Sequence, residues 1–85
     1  MLRLTQAEPL SLRGLRFHGH ERVRVRVNTE SDRAAKRVIA NRLGAFSVRF
    51  PGLVIDRCND LRVTADGSFG SRATFKRPGL QCPPA

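Results

Sequence analysis

Tryptophan and tyrosine are absent from the 85 residues, methionine occurs once and cysteine twice. Without the larger aromatics, the bulk of any core is expected from the five phenylalanines, Phe17, Phe46, Phe50, Phe69 and Phe75. Two cysteines alone cannot complete a tetrahedral zinc site. Long apolar runs are also missing: the longest, Leu53-Val54-Ile55 and its neighbours, falls far short of the roughly 18–20 residues that span a bilayer. Arg3, Gln6, Glu8 and Arg13 interrupt the first sixteen residues, so these lack the apolar stretch of a secretory signal. The chain is therefore either cytosolic or follows an export signal upstream of Met1.

The elements of a catalyst are lacking as well. No Gly-rich phosphate loop precedes a helix, both histidines sit in one short stretch, and no Ser-His-Asp or paired-carboxylate arrangement can be assembled. Asp56, Asp60 and Asp66 lack calcium-loop spacing and are assigned to local turn hydrogen bonding. Neither an enzyme nor a cofactor is expected.

What the chain has is positive charge and alternation. Sixteen Lys and Arg, fourteen of them Arg, stand against seven Asp and Glu, for a formal charge of +9. A field of that sign attracts phosphate polymers, acidic glycans and anionic surfaces without choosing among them, so clustering is the useful test. Along the chain the cations are spread from Arg3 to Arg77 with no basic tail.

Period-two patterning recurs. "ERVRVRVN" sets Val23, Val25 and Val27 against Arg22, Arg24 and Arg26, and "AFSVRF" puts Phe46, Val48 and Phe50 on one face. "DLRVTAD" places Leu61, Val63 and Ala65 inside and Arg62, Thr64 and Asp66 outside, while "SRATFKR" opposes Ala73 and Phe75 to Arg72, Thr74 and Lys76. These are four half-buried strands, and "LRLTQ" and "LSLRGLRF" read as shorter edge strands ahead of them. Gly19, Asn41 with Gly44, Pro51-Gly52, and Asp66-Gly67 with Gly70 supply turns between them. Residues 78–85, "PGLQCPPA", form a Pro-rich tail, and residues 1–85 make one domain.

One stretch points two ways. In "TESDRAAKRVIANRLG", Thr29 is placed as an N-cap, Ala35, Val38, Ile39 and Leu43 share a helical face, and Gly44 is a stop. Local signals alone favour a helix, whereas sheet context favours a strand leading to the Asn41–Gly44 turn.

The order of these motifs resembles that of the small bacterial immunoglobulin-like domains of exported proteins. "LSLRGLRFHGHERVRVRV" is similar to their opening, a strand ending in Gly, a Phe and a Gly-x-Glu turn before alternating valines. "LGAFSVRFPG" resembles the hairpin that follows. "DRCNDLRVTADGSFGSRATFKRPGLQCPP" resembles the C-terminal hairpin of a subset, with one Cys before its first strand and one after its last. The resemblance runs from about Leu10 to Pro84. It implies an all-β, antiparallel immunoglobulin-like β-sandwich of about seven short strands, with residues 34–40 as a strand. It also implies a non-enzymatic, secreted structural or adhesive module.

Three constellations remain. A hairpin centred between Ser68 and Phe69 puts Cys58 opposite Gly79, so a Cys58–Cys82 disulfide would clamp its open end; the alternatives are two unconnected thiols or part of a metal site. "HGHE" brings His18 and His20 to a spacing that copper or zinc can use, with Glu21 as a third donor, but reads first as a polar loop. Burial of three valines suffices to explain the row Arg22, Arg24, Arg26, which reads first as a solvated face. It becomes a polyanion site if Arg49, Arg62 or Arg72 joins it. The expectation is an extracytoplasmic module contacting a protein or an acidic cell-envelope polymer. The alternative is a small basic cytosolic nucleic-acid-binding protein, either a β-barrel or a strand–helix module; against it, no aromatic residue interleaves the arginines for base stacking.

Overall fold

The computed structural model describes residues 1–7, 9–29, 32–53 and 58–80. Seven strands follow in order: β1 (Leu2–Ala7), β2 (Leu10–Gly14), β3 (Arg22–Thr29), β4 (Arg33–Ile39), β5 (Phe46–Phe50), β6 (Leu61–Gly67) and β7 (Arg72–Arg77). They form two antiparallel sheets, β1-β2-β5 and β4-β3-β6-β7, and no helix occurs among the described residues. Because successive side chains on a strand point to opposite faces, each alternating segment supplies one apolar row, and the two sheets bury these rows against each other. Leu10, Leu12, Val48 and Phe50 from the smaller sheet and Val23, Val25, Val27, Leu61, Val63 and Ala65 from the larger belong to one buried cluster.

The stretch with two readings is a strand. β4 pairs with β3 along its whole length, from Arg22 opposite Ile39 to Asn28 opposite Arg33. The Thr29 hydroxyl does accept the Asp32 amide at 2.9 Å, the bond a helix N-cap would make, but here it helps close the β3–β4 connection. Ile39 and Leu43, which a helix would have turned inward, are 66% and 79% exposed. The Asn41 side chain holds the turn that follows, accepting from the amides of Leu43 and Ala45.

Several expectations need correction. β2 is central, paired to β1 on one side and β5 on the other, and it stops at Gly14 instead of running to Phe17. Arg16, at a φ of 65°, leaves the extended region and ends the segment. Phe17, Phe46 and Phe50 belong to the buried cluster and Phe75 packs against it, but Phe69 lies at the β6–β7 turn, 63% exposed, and leucine and valine outnumber phenylalanine in the core. Asp66 points out of the sheet into two ion pairs instead of serving its turn.

The β6–β7 hairpin is centred on Phe69, with Leu61 opposite Arg77 and Asp66 opposite Arg72. At its open end a Cβ on Gly79 would fall 2.4 Å from the Cys58 carbonyl oxygen, and the Gly79 amide donates to Asp60 Oδ1 at 2.6 Å. The chain thus returns beside Cys58, although the hairpin turns on Phe69 itself and not between Ser68 and Phe69. Cys82, and with it the expected disulfide, lies outside the described residues.

Candidate polyanion-binding face

Register decides which cations share a surface. On the outer face of the larger sheet, Ile39 lies beside Arg22, and the next row runs Arg37, Arg24, Asp66, Arg72. A third row runs Ala35, Arg26, Thr64, Thr74, and a fourth Arg33, Asn28, Arg62, Lys76. Eight of the chain's sixteen Lys and Arg therefore stand on one face, with Asp66 as its single acidic strand residue. All eight are exposed. The predicted trio Arg22, Arg24 and Arg26 forms the spine of this face, joined by Arg62 and Arg72; Arg49 is on β5, in the other sheet.

The charges are not evenly free. Asp66 accepts from Arg26 Nη2 and from Arg72 Nε, each at 2.7 Å. Its partial burial alone would raise its pKa, but the two guanidinium groups outweigh that and hold the carboxyl below its ordinary value. Arg24 stands between Asp66 on one side and Arg37 on the other, and Arg62 directly faces Lys76. Like charges at directly opposed positions destabilise a sheet unless something anionic lies between them. A shallow groove of about 570 Å³ runs over the first rows, lined by Arg22, Arg24, Arg37, Ile39 and Ser68 among others.

The loop at the head of this face is held by a residue whose role sequence reasoning missed. Glu21 is fully buried, and its carboxylate accepts from the amides of His18 (3.0 Å), Phe69 (2.7 Å) and Ser71 (3.4 Å). Burial by itself pushes this pKa up, yet those amides and the Ser71 hydroxyl overcome it and hold the carboxyl below its ordinary value. The fit depends on Gly67, because a Cβ there would lie 2.1 Å from Glu21 Oε2. One signal was available: Glu21 shares the odd-numbered parity of Val23, Val25 and Val27, which places it on the inward face.

This arrangement bears on the histidines. The His18 ring packs edge-on against Phe69 with centroids 5.9 Å apart, and His20 takes a φ of 60°. With the Glu21 carboxylate committed to three backbone amides, the third donor of a His18–His20–Glu21 metal set is turned inward.

The outer face of the smaller sheet carries Arg3 opposite Arg13, Ser11 opposite Arg49, and Gln6 and Ser47. Three cations there, against eight on the larger sheet, make the two faces electrostatically unequal. No protein-family model, curated protein or solved structure matches the chain.

Proposed function

We propose that the chain is an immunoglobulin-like β-sandwich working outside the cytoplasm as a non-enzymatic structural or adhesive module. It contacts an acidic polymer through the outer face of β4-β3-β6-β7. Lettered A to G in chain order, the sheets are A-B-E and D-C-F-G. Constant-type immunoglobulin domains pair A-B-E-D and C-F-G, so the difference is that the fourth strand lies beside the third instead of the fifth. The B–E, C–F and F–G pairings are common to both, which supports the family reading.

One observation carries the binding reading: eight cations and a single carboxylate share one sheet face, with Arg24/Arg37 and Arg62/Lys76 in directly opposed like-charged pairs. Burying valines explains why polar residues face outward on β3, but any polar residue would satisfy that requirement on all four strands. Guanidinium groups in rows instead suit carboxylate, sulfate and phosphate groups, which they bind in paired hydrogen bonds.

The test compares two variants with the same change in net charge. Reversing Arg22, Arg24 and Arg37 to Glu is expected to abolish retention on an immobilised acidic polysaccharide at moderate salt. Reversing Arg3, Arg13 and Arg49 is expected to leave most of it. Equal losses in the two variants would reduce the interaction to bulk charge and sink the reading.

A further inference from the structure

Resting on that reading, we infer that the face holds its polymer at two separate stations, and that the ligand is a linear anionic polysaccharide laid along β3. The first station is Arg22, Arg24 and Arg37; the second is Arg33, Arg62 and Lys76. Arg26 is the one cation in the row between them, and Asp66, which stands in the Arg24 row, binds it and Arg72 at 2.7 Å each. Taken together, Arg26, Arg72 and Asp66 leave one net positive charge, while each station carries three cations. The six station side chains make no hydrogen bond or ion pair with any described residue.

The separation follows from the register. Arg24 and Asn28 are four steps apart on β3, so the row holding Arg24 and Arg37 lies about 13 Å from the row holding Arg33, Arg62 and Lys76 at roughly 3.3 Å per residue. A short acidic fragment can fill one station but cannot reach the other. A chain long enough for both converts the second contact into an intramolecular event, which typically raises affinity by about 10²–10⁴.

The groups lying among the charges favour sugar over nucleobase. Asn28, Thr64, Thr74 and Ser68 stand in or beside the rows and offer amide and hydroxyl partners to sugar hydroxyls. None of the strand residues on this face is aromatic, whereas single-stranded nucleic acid is held chiefly by stacking on aromatic side chains. Phe69, at the adjoining turn, is engaged by the His18 ring.

Oligogalacturonates of defined length, titrated into the intact protein, provide the test. Affinity is expected to stay low for fragments that fill one station, then rise at least 100-fold once the oligomer spans both. Reversing Arg62 and Lys76 to Glu should remove that step, leaving short fragments bound at the first station alone with no gain from greater length. Asp66→Asn, which frees Arg26 and Arg72, should blur the threshold by letting mid-length fragments bind. Thermal unfolding checks that each variant is folded. A smooth rise with length that ignores R62E/K76E but is lost in R22E/R24E/R37E would overturn the two-station inference while leaving the face reading standing. Tight binding of single-stranded DNA with none of oligogalacturonate would overturn the choice of polysaccharide. Binding of neither would remove the face reading and this inference together.

Discussion

Glu21 ties the loop that precedes β3 to the β6–β7 turn through three backbone amides, two of them nearly fifty residues away in sequence. A carboxylate in that position is costly to bury and costly to lose, because its removal takes the acceptor from three partly buried amides. Glu21→Gln is expected to cost about 1.5–3 kcal/mol in chemical denaturation, since the amides would then meet a weaker, neutral acceptor. Its pKa is depressed in the folded state, so the unfolded chain takes up the proton first on acidification. The stability it contributes is present above the ordinary glutamate value of 4.5 and is lost as pH falls below that through the folded pKa. Between those two values the wild type should lose stability faster than Glu21→Gln with falling pH, and parallel curves would show that the carboxylate contributes nothing through its charge.

At the level of single elements, β4 is one edge of the larger sheet, with β3 its single ladder partner among the described strands. Its outer backbone edge could template another strand, and Arg33, Lys36 and Arg37 oppose this because an approaching copy of β4 would meet like charge. Lys36 also covers the gap between β4 and β5, with its Nζ 5.6 Å over the Phe50 ring and donating to the Arg49 carbonyl. Replacing Arg33, Lys36 and Arg37 with Thr keeps β propensity and removes the repulsion. The variant should associate in a concentration-dependent way in sedimentation or light scattering, and a variant that stays monomeric at high concentration would show that edge charge is not what keeps β4 apart. β4 is also where local pattern failed. Thr29, Ala35, Val38, Ile39 and Gly44 spell a helix when only neighbours in sequence are considered. The seven-residue register with β3 overrides it.

On the scale of the whole molecule, a core built largely from leucine and valine in 85 residues leaves little stability to spare. The proposed Cys58–Cys82 bridge would offset this by closing the open end of the last hairpin. In the chain-entropy account, a loop of that size contributes about 3.5 kcal/mol. Protein isolated under non-reducing conditions should therefore titrate with no free thiol, and added reductant should lower its unfolding midpoint markedly. Two titratable thiols would remove the bridge and, with it, the strongest chemical argument for an oxidising compartment.

Alternation alone settled which residues point inward on β3, β5, β6 and β7, because side-chain parity on a strand is a local property of the backbone. The same parity held the clue to Glu21, although nothing local said what its carboxylate would meet. Which strands neighbour one another, and therefore whether Arg22, Arg24 and Arg26 stand alone or among Arg33, Arg37, Arg62, Arg72 and Lys76, depended on pairings between residues up to about forty positions apart. Such pairings are fixed by burying two apolar layers against each other. Only the folded sheet could turn cations scattered along the chain into a face, and only its register could set Asp66 between Arg26 and Arg72.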